Sequence, residues 1–234
     1  MNRLSKISVI CLTLLLCLTS ASSSANSRHV GRFNKLPGLK GFGNGKTVWD
    51  KKYSRSSYVD GKSPAKFLAE NFDYLPLGGH VLDMGMGEGR NAVFLAGKGF
   101  KVTGVDISSV AVRKAKALAK EYKVRIKTIV ASLEKYDFRP ETFDAIICFY
   151  FVDRKLNEKI RKWLKPGGIL IYESHTLSQK KLSGYELTKD KYLLKEGELL
   201  GLFDDFKMLK YEEPLHKKEF IASGVFKKNV AIKR

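Results

Sequence analysis

A run of eleven residues, 81–91, constrains the fold of this chain more than any other segment. Two apolar residues lead into an acid, Asp83, after which glycines alternate and a helical pattern begins. Glycine permits positive φ angles and lets a ligand approach the backbone closely. The pattern predicts a buried strand that ends in a tight turn, followed by a helix whose free N–H groups face the same crevice. In an open α/β sheet, ligands bind in such a crevice at the carboxyl end of a strand.

The spacing of the glycines distinguishes this turn from a dinucleotide-binding fingerprint. That fingerprint, G-x-G-x-x-G, would have its third glycine where this chain has Arg90. The glycines are instead Gly85, Gly87 and Gly89, and Asp83 precedes the first of them by two residues. This arrangement resembles motif I of the class I S-adenosylmethionine-dependent methyltransferases.

Two later segments extend the resemblance. Residues 101–106 read as a second strand that ends in an acid, and 164–173 resemble the turn and fifth strand of that family. The run GEGRNAVFLAGKGFKVTGVDIS resembles the small-molecule branch that includes the tellurite-resistance and thiopurine-type methyltransferases. The resemblance covers residues 47–234. It implies a Rossmann-like α/β fold, with a seven-stranded, mostly parallel sheet, helices on both faces and an antiparallel last strand. It also implies S-adenosyl-L-methionine as the methyl donor.

The periodicity of the chain predicts alternating strands and helices, which favours a mostly parallel sheet. Ser63 and Pro64 are expected to begin the first regular helix, as its N-cap and first residue. Ser108 or Ser109 is expected to cap a later helix that ends near Tyr122. We predict strands at 80–84, 101–105, 125–130, 143–149, 168–173, 206–211 and 225–233, and helices at 63–71, 89–97, 108–122, 155–164 and 195–201.

The N-terminal region predicts a targeting segment ahead of one domain. Residues 1–27 form a signal-like leader with a basic start and an apolar core at 7–18, residues 28–46 a glycine-rich basic linker, and residues 47–234 the methyltransferase domain. Three locations stay open: an exported (secreted or periplasmic) protein, a domain on the cytoplasmic face with an uncleaved anchor, or an organelle-targeted protein. The organelle-targeted alternative is supported because no acidic residue precedes Asp50, and transit peptides are poor in acidic residues. The apolar core is too short for a stable membrane span.

The net charge of +19 and the sequence pI near 9.8 raise the possibility of a nucleic-acid or anionic-membrane partner. The lysines, however, are spread along every predicted element, which favours a uniformly basic surface. After the fourth strand the chain reads Cys-Phe-Tyr-Phe-Val-Asp, without the D/N-P-P-Y/F motif of nucleic-acid amino-methylation. We therefore expect a small-molecule acceptor, no nucleic-acid partner, and a monomer or weak dimer.

The cysteines and histidines predict neither a disulfide framework nor a metal site. Cys11 and Cys17 lie in the apolar leader, and Cys148 lies within a predicted core strand. The four histidines form no cluster with cysteines or carboxylates at the spacing of metal ligands.

The resemblance implies roles for the residues of motif I and the second strand. Gly85, Gly87 and Gly89 would carry the backbone under the methionine half of the cofactor, and Asp83 would order the loop and face the amino group. Asp106 would accept hydrogen bonds from both ribose hydroxyls, since a carboxylate presents two acceptors to a vicinal diol. The alternatives are helix-capping roles for both acids.

After the third strand the chain departs from the family, which usually places an acid or amide near the adenine. The chain has Ala-Ser-Leu-Glu at 131–134. We predict that Ser132 and the backbone of Leu133 serve there, with the Leu133 side chain against the base.

Aromatic residues follow the fourth strand, where the family lines its methyl-transfer site. Phe149, Tyr150 and Phe151 are candidates because aromatic faces stabilise a sulfonium cation, and packing in the core is the alternative. Phe149 is predicted both to contact the cofactor and, with Tyr150 and His175, to be a catalytic residue. His175 is placed on the rim of the pocket as a proton-transfer candidate, with a structural or solvated loop histidine as the alternative.

These features favour an enzyme that transfers a methyl group by in-line displacement. Soft nucleophiles such as thiols need little general base, which agrees with the scarcity of acid–base pairs in the sequence. Two other functions stay open: a nucleic-acid methyltransferase or binder, and a non-catalytic protein that binds S-adenosylmethionine or another nucleoside.

Overall fold

The computed structural model describes residues 45–182, 184–185, 188–214 and 219–230. The predicted leader, 1–27, lies outside the described residues, as does all but the end of the predicted linker, 28–46. The first helix begins at Gly45, so the last two residues of that linker are helical. None of the helices in the described part of the chain has the length and apolar character needed to cross a membrane.

A seven-stranded sheet forms the centre of the domain, in the order β3-β2-β1-β4-β5-β7-β6. The strands up to β5 pair in parallel, and β7 runs antiparallel to both β5 and β6. This topology confirms the predicted Rossmann-like methyltransferase fold. The strands are β1 (His80–Met84), β2 (Lys101–Asp106), β3 (Lys127–Val130), β4 (Phe143–Phe149), β5 (Leu164–His175), β6 (Phe206–Glu212) and β7 (Ile221–Lys228).

Six α-helices and four short 3₁₀ helices are described around the sheet. The α-helices are α1 (Gly45–Tyr53), α2 (Lys66–Asn71), α3 (Arg90–Gly97), α4 (Ser109–Glu121), α5 (Asn157–Trp163) and α6 (Glu198–Leu202). The 3₁₀ helices are Phe72–Tyr74, Arg154–Leu156, Leu177–Lys181 and Asp190–Tyr192.

Alternate residues of the central strands belong to two separate cores, one on each face of the sheet. In β4, Ala145 and Ile147 pack in a core with residues of α2 and α3. Ile146 and Cys148 point the other way and pack with Trp163 of α5 and with residues of α6. Because both faces are covered, β4 reads as a nearly continuous apolar run rather than as an alternating one.

The structure confirms the predicted start of α4 and contradicts that of α2. Ser108 is the N-cap of α4, as predicted, and its Oγ accepts a hydrogen bond from the Ala111 N–H at 3.1 Å. The predicted start of a helix at Ser63 is wrong, because α2 begins at Lys66 after Ala65. The Ala65 N–H donates to Asn91 Oδ1 at 2.9 Å, so a contact with α3 replaces the predicted cap.

Strand β5 is longer at both ends than the predicted 168–173. It begins at Leu164, which pairs with Phe143 across an irregularity in the register, and it ends at His175, which pairs with Ile221. The last strand begins four residues before the predicted 225 and ends at Lys228, and residues 231–233 of that prediction lie outside the described residues. Pairing with neighbouring strands, which local sequence does not encode, sets these limits.

Candidate functional site

A cavity of about 290 Å³ opens at the carboxyl ends of β1, β2 and β4. Its walls come from the glycine-rich turn after β1, from the ends of β2 and β4, from the loop after β3, and from α1. The predicted site residues on this cavity are Asp83, Gly85, Gly87, Asp106, Ser132, Leu133, Phe149 and Tyr150. Residues from distant parts of the chain therefore meet at the carboxyl edge of the sheet, where ligands of open α/β folds bind.

The turn after β1 requires glycine for both conformation and space. Gly87 and Gly89 have φ angles of 55° and 85°, in the left-handed region that other residues avoid. A Cβ atom on Gly87 would lie 2.9 Å from the hydroxyl of Tyr53, and one on Gly89 would lie 2.7 Å from the Cβ of Ala115. Gly89 is also the N-cap of α3, so it sets where that helix begins although it does not line the cavity.

Asp106 ties the glycine-rich turn to the end of β2. Its Oδ2 accepts a hydrogen bond from the Gly87 N–H at 2.9 Å, and its Oδ1 accepts one from the Ser108 N–H at 2.8 Å. Burial raises the pKa of Asp106, while these two hydrogen bonds and Lys52 act to lower it. Each carboxylate oxygen has a second lone pair, so the residue can hold the turn and still accept from a ligand's hydroxyls. The capping and ribose-binding roles are therefore compatible.

Asp83 is a buried acid beside the same turn, with 2% of its surface exposed. Among the described residues, no hydrogen-bond donor reaches its Oδ2. Burial, together with the negative charge of Asp106, raises the pKa of Asp83 to about 8. The positive charge of Arg90 and a hydrogen bond from the Ala92 backbone oppose this rise in pKa, but the charged form of so deeply buried a carboxyl group stays unfavourable. A ligand that brings positive charge into the cavity would therefore suit this residue.

Helix α1 lies over the cavity with two stacked aromatic residues and a buried lysine. The rings of Trp49 and Tyr53 are 5.9 Å apart and nearly parallel, and Lys52 Nζ lies 4.8 Å from the centre of the Trp49 ring. Burial lowers the pKa of Lys52. Asp50 anchors the helix, because its Oδ1 accepts from the Ser108 hydroxyl at 2.6 Å. Nothing in the local sequence marks Lys52, one lysine among many, as a buried residue.

The loop after β3 carries the two residues for which adenine binding is predicted. Ser132 and Leu133 both line the cavity, and Leu133 is buried. Lys159 of α5 donates from Nζ to the carbonyl oxygens of Leu133, Glu134 and Tyr136 at 2.7–2.9 Å, which holds the loop in place. Adenine binding by Ser132 and Leu133 stays a prediction.

The aromatic run after β4 lies on the cavity as well. Phe149, Tyr150 and Phe151 all line it. Tyr150 has a φ angle of 55°, which is rare for a residue with a side chain, and its hydroxyl donates to Glu173 Oε1 at 2.7 Å. Arg90 lies over the ring of Tyr150, with 5.7 Å between its Cζ and the ring centre. Sequence reasoning assigned no role to Glu173, although its position at the end of a buried strand was a usable signal.

The expectation that His175 lies on the pocket rim is wrong. His175 is the last residue of β5, is buried, and is not among the residues that line the cavity. Its ring lies 4.9 Å from that of Tyr150, in contact with that cavity-lining residue. Burial lowers the pKa of His175 to about 4, which favours the neutral ring at pH 7. The longer β5 places this residue in the sheet rather than in a loop, so a direct catalytic role loses its geometric basis.

Arg154 follows the cavity-lining Asp153 but is engaged elsewhere. Its guanidinium pairs with both carboxylate oxygens of Glu198, at 2.5 and 2.7 Å, and donates to the Leu193 carbonyl at 2.9 Å. It therefore fastens residues near 193 to α6. Across the described ranges, no group of three or more histidine, cysteine or acidic side chains could hold a metal ion.

Comparisons with known proteins agree with this geometry. A family profile described as a methyltransferase domain matches residues 81–168. The ubiquinone/menaquinone biosynthesis C-methyltransferase UbiE of Geotalea daltonii is 31% identical over 162 residues, which cover 64% of this chain and 67% of that protein. The ubiquinone biosynthesis O-methyltransferase of Rickettsia conorii is 30% identical over 105 residues, covering 43% of this chain and 36% of that protein. The chain thus spans little more than a third of the latter relative.

A solved structure shows the same fold. The structure reported as "Conversion of a Disulfide Bond into a Thioacetal Group during Echinomycin Biosynthesis" superposes with a TM-score of 0.66 at 20% sequence identity, covering 81% of this chain and 95% of that one. The fold and the glycine-rich site define a class I methyltransferase. The chain belongs to the S-adenosylmethionine-dependent methyltransferase family, and its cofactor is S-adenosyl-L-methionine.

Proposed function

We propose that this methyltransferase acts on a small-molecule acceptor. The observation that supports this most is the cavity itself: about 290 Å³, overlaid by α1 and lined by aromatic residues next to the glycine-rich turn. Two relatives named for ubiquinone or menaquinone biosynthesis agree with an acceptor of this class. The aromatic lining favours a flat, apolar acceptor over an extended polymer.

The residues of the cavity fit the cofactor. S-adenosyl-L-methionine supplies a methyl group on a positively charged sulfur. The free Oδ2 of Asp83 matches the positive charges of the methionine half, and Asp106 matches the two ribose hydroxyls. Ser132 and Leu133 would hold the adenine. Phe149 and Tyr150 would face the sulfonium, since aromatic rings attract cations.

The protein's contribution to the reaction is alignment and the exclusion of water. Asp106 at the end of β2 is hydrogen-bonded both to the glycine-rich turn, through the Gly87 N–H at 2.9 Å, and to the loop after β3, through the Ala131 N–H at 3.0 Å. These bonds would help to hold a bound ligand in one orientation. Helix α1 covers part of the cavity with Trp49, Lys52 and Tyr53, which would reduce the access of water to a bound ligand. Alignment of this kind lowers the barrier of a bimolecular displacement by several kcal/mol. A dry site also strengthens the electrostatic interactions within it.

Calorimetric titration of S-adenosylhomocysteine into the full chain tests the cofactor site directly. We expect Asp106→Ala to weaken binding at least about 100-fold, because two hydrogen bonds to a charged group are lost at about 1.5 kcal/mol or more each. Asp73→Ala is the matched control, since Asp73 is an exposed acid in the 3₁₀ helix Phe72–Tyr74, away from the cavity. Thermal unfolding of each variant separates loss of the site from loss of the fold.

Two results would contradict the assignment of the cofactor site. One is a folded wild-type chain that does not bind S-adenosylhomocysteine. The other is binding that Asp106→Ala leaves unchanged. If the cofactor binds but no small molecule supports turnover while RNA or DNA does, the acceptor class is wrong.

A further inference from the structure

The hydroxyl group of Tyr150 links a residue of the cavity wall to a buried carboxylate on β5. Tyr150 lines the cavity and donates from its hydroxyl to Glu173 Oε1 at 2.7 Å. Ser223 of β7 donates from its hydroxyl to the other carboxylate oxygen, Oε2, at 2.9 Å. Glu173 itself is only 5% exposed and is not among the residues that line the cavity. Tyr150 therefore lies between the carboxylate and the space that a ligand would fill.

The backbone holds Tyr150 in this position. β4 ends at Phe149, which pairs with Glu173, and the next residue turns into the left-handed region with a φ of 55°. The Tyr150 N–H donates to the Glu173 carbonyl oxygen at 2.8 Å. Main chain and side chain of Tyr150 are thus both bonded to the same residue. Unfavourable backbone conformations of this kind persist where the surrounding structure enforces them, and they cluster at functional sites.

The hydrogen bonding leaves the phenol able to accept a proton. Because Tyr150 gives its own proton to the hydrogen bond with Glu173, its oxygen lone pairs are left for a donor in the cavity. A hydroxyl group of a bound ligand is such a donor. A proton can then pass from the ligand to the tyrosine oxygen while the tyrosine proton passes to the carboxylate.

We propose that Tyr150 and Glu173 form a proton relay that deprotonates a phenolic hydroxyl of the methyl acceptor. The O–H bond of the acceptor breaks, and its electron pair stays on the oxygen that takes the methyl group. Tyr150 Oη gains that proton as its own moves to Glu173 Oε1, and the carboxylic acid later returns the proton to solvent. The lining residues Phe149 and Phe151 suit an aromatic ring, which favours a phenol over an aliphatic alcohol.

This inference rests on the proposed small-molecule function and makes it narrower. It replaces the expectation of a soft nucleophile, which agreed with the scarcity of acid–base pairs in the sequence. The pair exists, but its members are 23 residues apart in the chain and meet only through the pairing of β4 with β5.

The charges around the relay set the pH at which it operates. Burial raises the pKa of Glu173, and the hydrogen bonds from Tyr150 and Ser223 oppose this. The positive charge of Arg90, at the start of α3, also lowers the pKa, whereas Glu219 raises it. The relay requires ionised Glu173, so its activity is lost as the pH falls through this pKa.

Two further groups complete the surroundings of the relay. His175, in contact with the Tyr150 ring, has a pKa lowered by burial and is neutral in the range where Glu173 is ionised. Tyr185 lies against His175 at 5.6 Å between ring centres, and burial raises the pKa of its phenol. Neither group is expected to change charge over the pH range in which the relay is active.

The test uses 4-nitrophenol, whose colour distinguishes the neutral phenol from the phenolate. The full chain is saturated with S-adenosylhomocysteine, and the dye is added at a pH where the free dye is mostly neutral. We expect the bound dye to show phenolate absorbance, because the relay takes its proton. Glu173→Gln should lower the bound phenolate-to-phenol ratio at least tenfold, which corresponds to about one pKa unit.

Two further variants make the result specific. Tyr150→Phe removes the hydroxyl that connects the cavity to Glu173. Like Glu173→Gln, it should lower the bound phenolate-to-phenol ratio. Glu212→Gln is the matched control, because Glu212 is a β6 carboxylate paired with Lys210 at 2.8 Å and does not line the cavity. It should leave the dye spectrum unchanged.

The outcomes separate this inference from the function on which it rests. If S-adenosylhomocysteine fails to bind by calorimetry, the proposed function is wrong. If it binds but the dye does not bind, stays neutral in the wild type, or is equally ionised in Glu173→Gln, the relay alone is wrong. A spectrum that responds to Glu173→Gln and Tyr150→Phe but not to Glu212→Gln supports it.

Discussion

The buried carboxyl of Asp83 predicts a pH dependence of cofactor binding that calorimetry can measure. The pKa of Asp83 is raised to about 8 by burial and by the charge of Asp106. At pH 7 such a group is about nine-tenths protonated in the free protein. The methionine half of the cofactor brings positive charge to this cavity, so binding should favour the ionised carboxylate and release the proton.

The magnitude follows from the size of the pKa shift. If the bound ligand lowers the pKa of Asp83 below about 5, binding at pH 7 releases about 0.9 of a proton. Affinity should then rise about ninefold from pH 6 to pH 7 and about fivefold from pH 7 to pH 8. The sign is that of an acid whose ionised form binds the ligand: affinity is lost as the pH falls.

The assay is isothermal titration of S-adenosylhomocysteine in two buffers of different ionisation enthalpy, since their difference in observed heat gives the number of protons released. Asp83→Asn should bind with a flat pH profile and release no proton at this site. Asp153→Asn, on the same cavity, is the matched control and should retain the release. A wild type that releases no proton, or an Asp83→Asn variant that releases as much as the wild type, would refute the reasoning.

Two pairs of variants test the framework around the site by urea unfolding. Gly89→Ala should lower the free energy of unfolding by about 2–5 kcal/mol, because alanine is strained at this left-handed φ angle and its Cβ would clash with Ala115 of α4. Gly97→Ala is the control. Its added Cβ has nothing within 4 Å, so the free energy of unfolding should change by less than about 1 kcal/mol. Lys114→Met should lower the free energy of unfolding by about 3 kcal/mol, because it removes the ion-pair partner of the buried Glu88 carboxylate. Lys62→Met breaks the exposed ion pair with Glu121 and should lower it by less than about 1 kcal/mol. Equal losses within either pair would contradict the corresponding argument.

Local sequence was sufficient for the elements whose residues carry their own conformational demands. The unit from β1 through the glycine-rich turn to α3 was predicted because glycine is required at φ angles of 55° and 85°, and such demands can be read from the chain. The cap at Ser108 and the limits of β4 are similar cases, since a hydroxyl before a helix and an apolar run are local signals. The predicted start of α2 was wrong because the hydrogen bond that fixes it comes from Asn91, which is 26 residues further along the chain.

The site shows the same division between features that local sequence predicts and features that depend on long-range contacts. Motif I and the ends of the strands were enough to predict that Asp83, Asp106 and Phe149 meet at one cavity, because the carboxyl ends of parallel strands share one edge of a sheet. The position of His175 could not be predicted in this way, because β5 continues past 173 only where β7 pairs with it. Lys52 is buried only because α1 folds over the turn.

The sequence by itself therefore determined the family, the cofactor and the edge of the sheet where the chemistry takes place, since these depend on short-range patterns of glycine, acid and apolar residues. The tertiary structure alone decided the partners of the buried polar groups. Glu173 bonds to Tyr150 and Ser223 because β5 lies between β4 and β7 in a particular register. Register comes from the sum of many weak contacts across the sheet, and no local pattern in the chain encodes that sum.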